Sequence, residues 1–210
     1  MNILVVAATH FEIEKFSQCS SCDFLVTGAG VPATIFHLQK HLFSHDYGLV
    51  INSGIAGTFN ADFDERGKLF VVNKDCFADV GINENGKLTS VREAGFQNEN
   101  DEIFYGDFIL NETPWNDATR LPITQACTVN KVTDDATTIQ QIAEKYHPHL
   151  ESMEGAGFFY VCRQMKVPCI QVRAVSNVVG VRDKAQWKMK ESIAALNDFL
   201  IEFSERIKHD

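Results

Sequence analysis

The chain has no apolar run of the roughly 18 residues that a membrane-crossing helix needs, which excludes a helical membrane span. It also has no excess of positive charge: 19 basic residues stand against 28 acidic ones, for a formal net charge of −9. Nucleic acid and anionic membrane surfaces are held by basic patches, so neither is expected as the main partner. An anionic small molecule stays open, because a pocket sets its own local charge. No disulfide framework is visible. The six cysteines (19, 22, 76, 127, 162 and 169) are scattered along a chain long enough to build its own core, so reduced thiols and a cytoplasmic location are expected. Cys19-Ser-Ser-Cys22 has the spacing of a redox or zinc pair, but it follows a helical stretch, and no second pair or nearby histidine completes a metal site. The seven histidines show neither triad nor metal spacing. Neither a metal nor another cofactor is expected. No basic leader precedes Met1–Ala8, which reads as a first core strand and not as a signal peptide. With no repeat, low-complexity tract or linker, residues 1–210 are expected to form a single domain.

What the chain does have is alternation. Apolar, strand-length runs lie at 3–8, 23–27, 48–52, 69–73, 123–129 and 167–175. Such continuous runs suit a sheet covered on both faces. Helical patterns fill the gaps, at about 11–18, 32–45, 134–147, 154–166 and 184–207, the last with Asp183 as its expected N-cap. The alternation predicts an α/β layer fold. Residues 80–117, rich in Asn, Glu and Gly with interspersed aromatics, read as a long irregular insertion, part of a site wall or a subunit contact.

In such a sheet, ligands collect at the carboxyl ends of the strands. The segments 8–12, 28–30, 53–57, 129–133 and 176–183 are expected on that edge. Gly28-Ala29-Gly30-Val31-Pro32-Ala33 resembles a loose dinucleotide fingerprint. However, the next strand ends at Asn52-Ser53-Gly54 with no acidic residue, and Pro32 offers no N–H, so an ordinary tight turn is the better reading. Asn52-Ser53-Gly54-Ile55-Ala56-Gly57 reads as a second glycine-rich turn, where backbone can pass close to a flat ligand. Glu154 lies in the apolar run Met153-Glu154-Gly155-Ala156-Gly157-Phe158-Phe159, where a charge is costly unless it has a partner or a job. One reading makes it a helix N-cap; the other makes it the acceptor for two sugar hydroxyls. Arg173, inside another buried run, calls for an acidic partner, with Glu154 the nearest candidate. Glu12 and Glu14 either complement a helix dipole or place a general base on water. Gly180 offers a hinge for a mobile segment after Asn177.

Together, Glu12, Asn52-Ser53-Gly54-Ile55-Ala56-Gly57, Ser152-Met153-Glu154-Gly155-Ala156 and Arg173-Ala174-Val175-Ser176-Asn177 resemble the nucleoside phosphorylase/hydrolase superfamily. The match is to its nucleosidase branch, which includes methylthioadenosine/S-adenosylhomocysteine nucleosidase and futalosine hydrolase. The resemblance implies a three-layer α/β/α fold with a mixed central sheet, and a homo-oligomer, dimer or larger. It implies Glu12 as the base that activates water, Glu154 with Met153 on the ribose hydroxyls, and Asn177 on the purine at N7 and the 6-substituent. Ile55, Ala56, Gly57 and Arg173 fall in the matching motifs, and Val132 and Thr133 would flank the base. The adenine-specific members carry aspartate where Asn177 stands. An asparagine can donate to a 6-oxo group while accepting from N7–H, so a 6-oxopurine nucleoside such as futalosine is the expected substrate, with release of hypoxanthine in menaquinone biosynthesis. Open alternatives are an adenine-releasing nucleosidase, a phosphorylase and a non-enzymatic nucleoside binder. The group that would hold the far carboxylate of futalosine is not legible; Arg182 is a candidate.

Overall fold

The computed structural model describes residues 1–98 and 102–209. The strands are Ile3–Ala7 (β1), Asp23–Val26 (β2), Leu49–Thr58 (β3), Leu69–Cys76 (β4), Gly81–Glu84 (β5), Lys87–Ser90 (β6), Phe104–Tyr105 (β7), Phe108–Leu110 (β8), Ile123–Thr128 (β9), Leu150–Ser152 (β10) and Cys169–Val178 (β11). The helices are Glu14–Cys19 (α1), Val31–Leu42 (α2), Pro114–Ala118 (α3), Ala136–Tyr146 (α4), Gly155–Gln164 (α5) and Met189–His209 (α6).

Among the described residues nine strands form one mixed sheet, and β5 and β6 pair separately as a hairpin. The apolar strands are buried on both faces because alternate side chains meet different helices. Leu4, Val6, Val50 and Val72 pack with Leu38 and Leu42 of α2 and Phe158 and Phe159 of α5. On the other face, Ile3, Val5, Ile51 and Val172 pack with Phe16 of α1 and with Leu196, Leu200 and Phe203 of α6. The molecule is therefore a mixed α/β sheet between helical layers.

β3 organises the molecule. Its first half runs parallel to β1, its end pairs antiparallel with β10, and its other side pairs with β11 along nearly its whole length. Since β11 pairs β4, β4 pairs β9 and β9 pairs β10, these five strands close on themselves. The closed circuit gathers several strand ends around one opening.

Three sequence expectations need correction. Asn52–Gly57 is not a turn: β3 continues through it to Thr58. Asp183 does not cap the last helix: its carboxylate accepts from the Ala185 N–H (3.0 Å) in a short 3-10 turn, and α6 starts at Met189. Residues 80–117 are not irregular. They hold the β5–β6 hairpin, turned at Asn85-Gly86 with φ of 52° and 76°, then β7, β8 and α3. β8 extends the main sheet against β4. Residues 99–101 of that span lie outside the described ones. Among the described residues, no helix is long and apolar enough to cross a membrane, and no cluster of three or more His, Cys, Asp or Glu is placed to hold a metal ion.

Candidate active site

A cavity of about 440 Å³ opens at the carboxyl ends of the strands. All five segments expected on that edge contribute: Ala8, Thr9, Phe11 and Glu12 from the first, Ala29, Ile55 to Gly57, Val132, and Ser176, Asn177 and Arg182 from the last. Glu12, Glu154 and Asn177 line the same cavity, together with Met153. Two expected residues are elsewhere. Thr133 is outside the lining; its hydroxyl accepts from the Asp135 N–H (3.0 Å) on the approach to α4. Arg173 lies behind the wall, 1% exposed.

At the Gly54 level, Glu12 Oε1 accepts from the Ile55 N–H (3.2 Å) while Oε2 accepts from the Thr9 N–H and hydroxyl (3.0 Å each). Glu12 thus serves as a capping-box residue and as part of the cavity wall. Gly54 is glycine for a spatial reason: a Cβ there would lie 2.9 Å from Glu12 Oε1 and against Arg173 Nη1. Arg173 donates to Gln171 Oε1 (2.9 Å) and to Asn52 Oδ1, and Gln171 donates in turn to the buried Asp75 (3.0 Å). The expected ion pair with Glu154 is absent; Arg173 acts on Glu154 and Glu12 as a buried cation at a distance.

Glu154 occupies the N-cap position of α5, yet its side chain does not cap. It turns away and accepts from the Gly30 N–H (2.9 Å). That explains the Gly28-Ala29-Gly30 turn: φ of 86° and 87° at the two glycines, a left-handed conformation costly for other residues, aims the amide at the carboxylate. Burial raises the Glu154 carboxyl above the usual carboxylate range; Arg173 and the Gly30 N–H oppose the shift.

At the Gly57 level sit Asn177 and a residue the sequence reading missed, Glu151. The register places Glu151 and Asn177 directly opposite Gly57 on either side. Asn177 Oδ1 accepts from the Ser176 hydroxyl (2.8 Å), and its Nδ2 donates to the Val178 carbonyl (3.0 Å). Glu151 is 6% exposed and lines the cavity. Burial pushes its carboxyl up to about 7, with Asp79 adding to the shift and Arg182 opposing it. The missed signal was a glutamate in Leu150-Glu151-Ser152, next to the motif that holds Glu154. Arg182 and Trp187 close this end, the guanidinium 5.5 Å from the indole centroid, a cation–π distance.

The model of the Phosphorylase superfamily matches residues 24–208. The chain belongs to this superfamily. Glu12 lies outside the matched span. As a superfamily member, the chain is 26% identical to the futalosine hydrolase of Thermus thermophilus, over 82% of this chain and 76% of the relative. It is 32% identical to the futalosine hydrolase of Streptomyces coelicolor, over 72% of this chain and 63% of the relative. Among solved structures, a mutant methylthioadenosine/S-adenosylhomocysteine nucleosidase of Helicobacter pylori, with 5'-methylthioadenosine in its active site, covers 98% of both chains with a TM-score of 0.81. At 16% identity, that last likeness speaks to the superfamily fold alone.

Proposed function

We propose that this chain hydrolyses the N-glycosidic bond of a purine nucleoside, and that its substrate is futalosine, from which it releases hypoxanthine in menaquinone biosynthesis. The observation that carries this reading is the convergence of Glu12, Glu154 and Asn177 on one cavity. Ribosyl cleavage passes through an oxocarbenium-like transition state. Glu154, at the Gly54 end, is placed to accept from the sugar hydroxyls and to stabilise the cationic ring. Glu12 takes a proton from water as the water oxygen bonds to the anomeric carbon. The electron pair of the breaking C–N bond passes to the purine, which takes up a proton from solvent at N7; Asn177 accepts from that N7–H and donates to the 6-oxygen. Proton transfer to a positioned base contributes about 10²–10⁴-fold, so electrostatic stabilisation of sugar and leaving group supplies the rest.

Two features support futalosine: Asn177 where the adenine-specific branch has aspartate, and the two futalosine hydrolase relatives. A second reading, an adenine-releasing nucleosidase, is favoured by a different observation. Asn177 is fixed only by Ser176 and Val178, and rotation of its amide would present the carbonyl to a 6-amino group. The deciding experiment is release of free base from futalosine, aminofutalosine, methylthioadenosine, inosine and adenosine, each with and without phosphate. Hypoxanthine released from futalosine without phosphate is the expected result. Faster cleavage of the 6-amino substrates would favour the second reading, dependence on phosphate would make the chain a phosphorylase, and nucleoside binding without base release would make it a binding protein.

A further inference from the structure

Glu151 is a buried carboxyl that the mechanism above does not use. Its side chain has no hydrogen-bond partner among the described residues, although it faces the cavity that Asn177 faces. The register explains why the two meet. β10, β3 and β11 are adjacent strands, with Glu151 opposite Gly57 and Gly57 opposite Asn177. A bulge between Val175 and Asn177 shifts the β11 side of the ladder, and both Asn177 and Glu151 line the one cavity. Gly57 contributes no side chain, and a Cβ on it would lie 3.3 Å from Asn177 Nδ2. The two polar side chains flank Gly57 on strands about 9.5 Å apart, with Val179 Cγ2 3.0 Å from where a Gly57 Cβ would lie. Glu12 and Arg173 converge three residues away along β3, at Gly54, or about 10 Å at the rise of a strand. A nucleoside whose sugar is held by Glu12 and Glu154 brings its base toward Asn177 and Glu151, which line the same cavity.

We propose that Glu151 is the second half of the base-recognition site, pairing with N1 of the purine while Asn177 takes N7 and the 6-substituent. The assignment rests on the nucleosidase reading for the pose of the base. The chemistry of N1 then makes Glu151 a specificity determinant. A 6-oxopurine carries N1–H, a donor, which an ionised carboxylate accepts. A 6-aminopurine carries a bare N1, an acceptor, which only the protonated carboxylic acid satisfies. The charged and titratable groups facing Glu151 are Asp79 from the segment after β4, Arg182 from the segment after β11, and the Cys127 thiol on β9; β3 offers none. With its carboxyl pushed up to about 7, both forms exist near neutrality. The enzyme therefore favours 6-oxo substrates increasingly as pH rises.

The test is the ratio of kcat/KM for futalosine to that for aminofutalosine, from pH 5.5 to 8, in the wild type and in Glu151→Gln. The ratio cancels groups that treat both substrates alike, Glu12 and Glu154 among them. A hydrogen bond to a charged group is worth about tenfold or more. The wild-type ratio is expected to climb by about that factor, while glutamine, which donates or accepts at any pH, flattens it. A flat wild-type ratio, or an equal slope in Glu151→Gln, overturns the assignment and leaves the nucleosidase reading standing. If no nucleoside releases base, the nucleosidase reading fails on its own. Calorimetry with free hypoxanthine and adenine over the same pH range then decides for Glu151: a pH-dependent preference in the wild type supports the assignment, and its absence sinks it. Because the wild-type measurement decides by itself, a poorly folded variant does not remove the test.

Discussion

In the proposed reaction two carboxylates and one amide carry most of the chemistry, and each is oriented by a contact that predicts how its replacement behaves. Glu154→Gln keeps an oxygen for the Gly30 N–H but loses the charge facing the sugar, so kcat is expected to fall about 10²–10³-fold. Steady-state base release, with circular dichroism to show an intact fold, checks this; a rate within a few fold of wild type would remove Glu154 from the mechanism. Asn177→Asp keeps the acceptor for the Ser176 hydroxyl and removes the donor to a 6-oxo group. Preference is expected to shift toward 6-amino substrates by about tenfold or more, read as the ratio of kcat/KM on paired substrates. Asn177 was legible because its motif is contiguous. Glu151 was not, because its importance lies in a strand register that brings it opposite Gly57. Arg173 was misread for a related reason: a buried guanidinium in a sequence does not reveal that its partners are amides, Asn52 and Gln171, and not a carboxylate.

At the level of elements, β3 shows where composition misleads. Asn52-Ser53-Gly54 has the composition of a turn, but the strand continues because β11 pairs with that stretch without a break, with β1 flanking the strand's start and β10 its end. Its glycine leaves room for side chains arriving from elsewhere. Gly54→Ala is therefore expected to push Glu12 and Arg173 aside, lowering kcat strongly while secondary structure persists. A variant with wild-type kcat would contradict that packing account. The long apolar strands and amphipathic helices were readable because their periods are local. β10 has three residues, too few for a pattern. The Asn85-Gly86 dipeptide is a hairpin signal, and its surroundings of Asn and Glu concealed it.

For the whole molecule, the buried carboxyls set how stability responds to pH. Asp75 is pushed up to about 6 and Glu151 to about 7, and Glu154 is also raised, each mainly by burial. A carboxyl whose folded value exceeds its unfolded one holds its proton longer in the native state. Stability from such a group is intact below the unfolded value and declines as pH rises toward the folded one. For Glu151 that window runs from about 4.3 up to the folded value, and the loss above it is about 3 kcal/mol in order of magnitude. Glu151→Gln should therefore raise the melting temperature at pH 8 and change it little at pH 4.5. Thermal unfolding at the two pH values tests this; equal shifts would mean that the carboxyl is not held in a desolvated state.

The residues around the cavity span positions 8 to 189, and they come from both ends of the chain and from its middle. A fragment lacking either end would have no complete receptor, so whatever binds there recognises only the fully assembled chain. Occupancy must then report on global unfolding: a compound at a hundred times its Kd adds about 2.7 kcal/mol. A simple dye-based melt across a nucleoside collection would rank its natural ligands without any assay of turnover.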